Sequence, residues 1–365
     1  MLKKHMSNSK QNQTQTNDNL RLVAWEVTRN CNLSCIHCRA SATMESYQNE
    51  LDTKSSLNLL DQIAKVGKPI VILTGGEPLL RSDIFEIASY GTQKGLKMAM
   101  AVNATLLNEK NAQKINNAGI QRISISIDGA TSKAHDKFRG VKGAFEKAIN
   151  GIQIAKKAGI EFQINTTITK SNINQIKSIF KFVEQIGAVA HHIFLLVATG
   201  RGKYISDMEI SADEYEQILH WFYEQKSKTS LQLKATCAPH YYRILRQQAK
   251  KEGKTVTFNT FGLDAVTRGC LGGTGFCFIS HKGIVQPCGF LDIDCGDINK
   301  KPFGDIWKNS DVFLKLRDFS NLKGKCGRCE YVKVCGGCRA RAYEATGDYL
   351  AQEPLCNYQP KLNKS

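Results

Sequence analysis

A chain of 365 residues, 42% hydrophobic and 23% charged, can bury one large core beside a smaller one, and it has the balance of a soluble globular protein. It contains no run of 18 or more apolar residues, which excludes an ordinary membrane-spanning helix. Fifty Lys and Arg against 33 Asp and Glu give a net charge of +17. Such an excess suits an anionic partner, nucleic acid or a polycarboxylate small molecule; the charges are scattered without a basic block, so charge alone does not choose.

Residues 1–20, MLKKHMSNSKQNQTQTNDNL, are polar, lack the apolar segment of a secretory signal, and are expected to be a disordered leader. A cytoplasmic location follows as the expectation. In that reducing compartment thirteen cysteines favour metal ligation over disulfides.

Over residues 21–197 strand-like and helix-like segments alternate. Strands are predicted at 22–28, 69–74, 97–103, 122–128, 161–168 and 190–197. Helical periodicity lies between them, as in Leu57, Leu60, Ile63 and Ala64, or Ile173, Ile176, Ile179, Phe180 and Val183. Six βα units in series give a parallel sheet. In RISISID the residues Ile123, Ile125 and Ile127 alternate with Ser124, Ser126 and Asp128, and 161–168 splits the same way. A parallel strand covered by helices on both faces is apolar on both, so one polar face implies a hollow partial barrel with a hydrated lumen. Chemistry in such barrels sits at the C-terminal ends of the strands. After residue 197 the alternation fades. Residues 198–268 are expected to form a bridging helical segment, with Ser211-Ala-Asp-Glu214 as a capping box. Residues 269–365, rich in Cys and Gly, form a second region.

The loop after the first strand reads CNLSCIHC, with Cys31, Cys35 and Cys38 spaced C-x3-C-x2-C. With His37 the set would also make a Cys3His zinc site. At the later strand ends stand Gly75-Gly76-Glu77-Pro78, Asn103, Ser126 and Asp128, with Arg139 in KFRG beyond. The triad and these residues, on a βα frame, resemble the radical SAM superfamily. The resemblance implies a [4Fe–4S] cluster on Cys31, Cys35 and Cys38 with one iron left open for S-adenosylmethionine, whose reductive cleavage gives a 5′-deoxyadenosyl radical. It also implies that Gly75, Gly76, Glu77 and Pro78 hold the methionyl amine, that Asn103 belongs to the cofactor site, that Ser126 and Asp128 hydrogen-bond a ribose, and that Arg139 pairs with the methionyl carboxylate.

Ten further cysteines lie between Cys237 and Cys356. Their pattern resembles the SPASM extension of radical SAM enzymes, which carries auxiliary [4Fe–4S] clusters. Cys326, Cys329, Cys335 and Cys356 would hold one. Cys270, Cys277, Cys288 and Cys338 would hold a second, although the gap before Cys338 is two residues where the pattern has three. Cys237 and Cys295 are left over and read as buried free thiols. A pair of zinc knuckles on a basic nucleic-acid-binding protein is the alternative of a different class; it leaves the GGEP motif and the polar lumen unexplained.

The stretches LRLVAWEVTRNCNLSCIHCRASA, AVAHHIFLLVATGRGK, LKATCAPHYYRILRQ and GCLGGTGFCFISHKGIVQPCGF are similar to the AhbD-type heme b synthases of the siroheme-dependent heme pathway, over about residues 19–360. That resemblance implies oxidative decarboxylation of two propionates of Fe-coproporphyrin III to vinyls. It implies an anionic tetrapyrrole partner and a reductase or other low-potential electron donor, with neither membrane nor nucleic acid involved. Related tetrapyrrole enzymes of AhbC and NirJ type, and peptide-modifying radical SAM/SPASM enzymes, share much of the layout. His240, Tyr241, Tyr242 and Arg243 are candidates for contact with the porphyrin iron, its ring face and a carboxylate; a helix start with ordinary packing is the plainer alternative. In His191-His192, strand alternation sends one imidazole inward and one outward.

Overall fold

The computed structural model describes residues 20–361, so the leader expected over 1–20 falls almost wholly outside the described residues. Strand β1 (Leu22–Thr28) is followed by α1 (Thr53–Val66), β2 (Ile70–Gly75), α2 (Ile84–Gln93), β3 (Lys97–Val102), α3 (Glu109–Asn117) and β4 (Arg122–Ser126). Two helices, α4 (Ser132–Arg139) and α5 (Ala144–Lys157), precede β5 (Phe162–Ile168); α6 (Ile176–Gln185) and β6 (Ala190–Leu195) complete six parallel strands in sequence order. The result is the parallel-stranded partial barrel that the pattern predicts.

The two strand faces part as the alternation requires. Ile123 and Ile125 of β4 and Phe162, Ile164 and Ile168 of β5 are buried, while Ser124, Ser126, Asn165 and Thr167 are half-buried. The apolar faces meet the buried stripes of the helices, Leu59, Leu60 and Ile63 on α1 and Ile176, Ile179, Phe180 and Val183 on α6. Each such side chain contributes roughly 1.5–3 kcal/mol on burial. His191 goes to the covered side, bonded to Thr166 Oγ1 at 3.0 Å and packed on Phe180. His192 takes the other face, beside the Gln163 amide at 2.9 Å.

The alternation does not fade after residue 197. The capping box at Ser211 opens α7 (Ala212–Gln225), with both of its hydrogen bonds made. A seventh strand, β7 (Gln232–Thr236), then pairs in parallel with β6 and is followed by α8 (His240–Lys251). Only Leu233 and Ala235 of β7 are buried, too few apolar positions to mark a strand in the sequence.

Nor does the Cys-rich region stand apart. Its strand β8 (Phe276–Ile279) pairs in parallel with β1 on the side away from β2, and β9 (Ile284–Gln286) and β10 (Gly296–Asp297) continue the sheet antiparallel. Beneath this seam the Glu26 carboxylate, fully buried on β1, takes His281 Nδ1 at 2.9 Å, Arg39 Nη2 at 2.9 Å and Arg29 Nε at 3.3 Å. Burial alone would raise its pKa; the bond to His281 and the charges of Arg39 and Arg29 instead bring it down to about 2.

Candidate functional site

The loop that follows β1 is held from three sides. Cys31 N–H donates to Thr43 O at 2.9 Å, closing the loop on itself. Ser34 and Ile36 N–H donate to Arg139 O and Phe138 O at 3.1 Å, tying it to the end of α4. Arg201, in the turn after β6, donates to Cys35 O at 2.9 Å and Ala42 O at 2.7 Å. Arg201 was not among the expected site residues, although it lies in the ATGRGK stretch. The three cysteines gather in one small buried group with Leu33, Ala40, Ala42 and Ala144. Burial pushes the Cys31 thiol up to about 12 and the Cys35 thiol up as well, the latter opposed by Arg139, whose Nη1 lies 3.5 Å from Cys35 Sγ. Thiols in such surroundings ionise only against a cation, which is what cluster iron offers.

The donor set fits an iron–sulfur cluster better than zinc. Among the described residues no three Cys, His, Asp or Glu converge on one point able to hold a single ion. A [4Fe–4S] cube takes its thiolates at separate corners and does not need that convergence. His37, the fourth ligand a zinc site would use, stacks on the Phe138 ring at 4.4 Å, and burial pushes its imidazole well below its ordinary pKa.

The GGEP motif is laced to this loop by backbone. Gly76 N–H donates to Thr28 O at 2.7 Å and Glu77 N–H to Asn30 O at 2.8 Å. A Cβ on Gly75 would meet Thr28 O at 2.1 Å, and one on Gly76 would meet Asn30 O at 2.2 Å, so only glycine permits the approach. The Glu77 carboxylate is buried and accepts from Leu79 N–H at 3.1 Å and Asn103 N–H at 2.6 Å, fastening the ends of β2 and β3 together. Burial raises its pKa to about 7 despite those two bonds. The Asn103 amide donates to Asn32 Oδ1 at 2.8 Å, within the cysteine loop. Gly76→Ala is expected to destabilise the anaerobic protein by about 1–3 kcal/mol, since backbone rather than a side chain must yield. A denaturation midpoint unchanged from the parent would contradict that.

The structure brings Asp128 and Arg139 together: they form a buried ion pair with each other. Asp128 also accepts Thr167 N–H at 2.7 Å, and Arg139 reaches the Cys35 sulfur. The end of β4 and the last turn of α4 converge, and two opposite charges brought out of water satisfy one another first. Asp128 and the Cys35 sulfur hold Arg139 above its ordinary pKa against the opposing effect of burial. Ser126 remains half-buried on the lumen side of β4.

Farther along, Cys326, Cys329, Cys335 and Cys356 line one small cavity, with His240 and Arg243 in its wall. Cys326 Sγ accepts Glu353 N–H at 3.3 Å and faces Arg339 Nη2 at 3.6 Å; Cys329 Sγ accepts Tyr331 N–H at 3.4 Å. The candidates for porphyrin contact therefore divide. His240 and Arg243 belong to this cysteine cavity, Arg243 forked onto Glu216 at 2.8 and 2.5 Å. Tyr241 and Tyr242 are core, 1% and 3% exposed, packed on each other and on Phe222. The start of α8 is buried all round because α7 covers one side and the Cys-rich region another.

The second expected set of four does not assemble. Cys288 packs in a group with Cys338, Val197 and Leu291. Cys277 lies on β8 with its side chain fully buried in the main core, where its cysteine neighbour is Cys295. Its strand position sends it to the helix-covered side of the sheet.

No helix among the described residues is long and apolar enough to cross a membrane. The Radical SAM superfamily model matches residues 25–183, and the SPASM model, an iron-sulfur cluster-binding domain, matches residues 270–339. The chain belongs to the radical SAM enzymes that carry a SPASM domain. Such enzymes work with S-adenosylmethionine, a [4Fe–4S] cluster and auxiliary iron–sulfur binding. The chain is 57% identical, over 93% of its length and 93% of the relative's, to the AdoMet-dependent heme synthase of Nitratidesulfovibrio vulgaris. It is 30% identical, over 93% of its length and 88% of the relative's, to the Fe-coproporphyrin III synthase of Methanosarcina barkeri. In fold it is similar to Streptococcus suis SuiB bound to its precursor peptide SuiA, with a TM-score of 0.74 and 18% identity, covering 93% of this chain and 76% of that one.

Proposed function

We propose that this chain is a heme b synthase of AhbD type, which oxidatively decarboxylates two propionates of Fe-coproporphyrin III to vinyls with S-adenosylmethionine. The observation that carries the proposal is the 57% identity to a heme synthase across nearly the whole of both chains. Identity to the Fe-coproporphyrin III synthase is about half that.

When bound, a [4Fe–4S] cluster on Cys31, Cys35 and Cys38 with S-adenosylmethionine supplies one-electron bond cleavage, and an auxiliary cluster on Cys326, Cys329, Cys335 and Cys356 supplies an outlet for one electron. The substrate chemistry asks for both. Taking a hydrogen atom from the propionate carbon next to the pyrrole, then losing CO2 to leave a neutral vinyl, requires one further electron to depart. The protein's own part is to hold and to shield. Arg139 places a buried positive charge against the Cys35 sulfur, and Arg201 and the glycine approach at Gly75-Gly76 fix the loop against the strand ends. The excess of Lys and Arg suits a tetra-anionic porphyrin, and a reductase or other low-potential donor would provide the starting electron.

Anaerobic, reconstituted protein given S-adenosylmethionine, reductant and Fe-coproporphyrin III is expected to form protoheme and release two CO2 per porphyrin. Turnover of didecarboxysiroheme in place of Fe-coproporphyrin III would overturn the proposal. In the Cys326→Ala/Cys329→Ala protein, S-adenosylmethionine cleavage is expected to persist while protoheme formation falls to background. Protoheme at the parent rate would remove the C-terminal cysteines from the reaction.

A further inference from the structure

The structure leaves one cysteine where packing alone does not explain it. Cys237 follows β7 directly, at the C-terminal end of a parallel strand, just as the Cys31 loop follows β1. Its φ is +55°, in the left-handed region that non-glycine residues enter at a cost of roughly 1–2 kcal/mol. The conformation is held because its carbonyl accepts Tyr215 Oη–H at 2.8 Å and Arg341 Nη2–H at 3.2 Å. Were the turn the only requirement, glycine would meet it without strain. A cysteine there indicates that the side chain matters.

That side chain has company. Cys237 and Cys288 pack in one group with Cys338, Val197, Leu291 and Ala340, a group separate from the core that holds Cys277. Cys270 comes up beside it: a Cβ on Gly272 would lie 3.8 Å from Cys270 Sγ and 3.2 Å from Pro287 O, next to Cys288. Cys277, by contrast, lies in the main core, with Cys295 packed against that core.

We infer that Cys237, Cys270, Cys288 and Cys338 form a second auxiliary [4Fe–4S] site, with Cys237 in the place that the sequence pattern gives to Cys277. An all-sulfur set suits an iron–sulfur cluster. The missing residue before Cys338 and the exchange of Cys277 for Cys237 belong together: the site has shifted toward the end of β7, and its fourth ligand comes from the barrel. The inference rests on the family's auxiliary iron–sulfur binding and is independent of which porphyrin is the substrate.

Iron and sulfide are to be counted in anaerobically reconstituted full-length protein. Cys237→Ala is expected to lose about four iron and four sulfide relative to the parent, and Cys277→Val to lose none. In both variants the perturbation of the first cluster's electron paramagnetic resonance by added S-adenosylmethionine should remain, as a mark of an intact barrel. Full iron in Cys237→Ala, or loss of about four iron in Cys277→Val, overturns the inference. The unsubstituted protein gives a second measurement: progressive chelation followed by alkylation and mass spectrometry. Cys237 is expected to become labelled in step with Cys270, Cys288 and Cys338; labelling of Cys237 before any iron leaves overturns the assignment. Protoheme formation by the parent tests the substrate separately.

Discussion

Arg341→Ala protein is expected to be about 3–5 kcal/mol less stable than the parent and to lose iron from the C-terminal region. Arg341 is 3% exposed and pairs with Glu353, whose side chain is fully buried, at 3.3 Å. It also donates to Leu196 O at 3.0 Å and Cys237 O at 3.2 Å, so one guanidinium joins the ends of β6 and β7 to the helix Arg339–Thr346. Glu353 in turn accepts Cys338 N–H at 2.6 Å, and its own N–H donates to Cys326 Sγ. The ion pair thus stands between both C-terminal cysteine groups. Truncation strands a buried carboxylate and several carbonyls, which is the costly way to break such a pair. Burial would raise the Glu353 pKa, but Arg341 above all holds it below the ordinary value. The pair's contribution is therefore full above the unfolded-state pKa near 4.5 and is lost as pH falls through the lower folded value. Arg341→Lys keeps the charge without the fork and should recover only part of the loss. Denaturation midpoints and iron counts check this, and a change below about 1 kcal/mol for Arg341→Ala would be inconsistent with it.

The second large effect belongs to Glu26. With a folded pKa of about 2 against an ordinary 4.5, the carboxylate contributes roughly 3 kcal/mol at neutral pH. The sign is that of a depressed acid: the stabilisation is complete above pH 4.5 and disappears as pH falls toward 2. Glu26→Gln is expected to be about 3 kcal/mol less stable than the parent at pH 7, with the difference narrowing below pH 4.5. Urea denaturation of both proteins at pH 7 and pH 4 reads the two values. A difference that stays constant down to the lowest pH would mean that packing, not charge, carries the effect.

Much of the barrel was legible because period-2 alternation and βα order are local properties. Ile123, Ile125 and Ile127 gave the covered face and Ser124 and Ser126 the lumen without any knowledge of neighbours. The cysteine loop and GGEP were legible for the same reason, each being a short contiguous signal. Pairings between distant segments were not. Nothing in RISISID or KFRG shows that Asp128 and Arg139 will neutralise each other, since that depends on where the last turn of α4 lands. HYYR presents two polar-tipped aromatics and two cationic or polar groups, yet only the packing of α7 and the Cys-rich region sends Tyr241 and Tyr242 into the core. β7 alternates too, but over only five residues and with just Leu233 and Ala235 on its apolar face, so its signal is weak. Cys237 carried a signal that went unused: it ends a strand-like run, as Cys31 nearly does.

The placement of β8 beside β1 has a consequence for biosynthesis. β1 is the first strand of the sheet to leave the ribosome, yet one of its two edges stays bare until a segment some 255 residues later has been made, the separation of Glu26 from His281. Until then Leu22, Val23, Ala24 and Trp25 lie on an unpaired edge, and the Glu26 carboxylate lacks the imidazole that completes its set of partners. A nascent chain of this design carries an unprotected strand through most of its synthesis. Its central sheet is completed only once the Cys-rich region has emerged, which couples the folding of the first-made strand to that of a late-made segment.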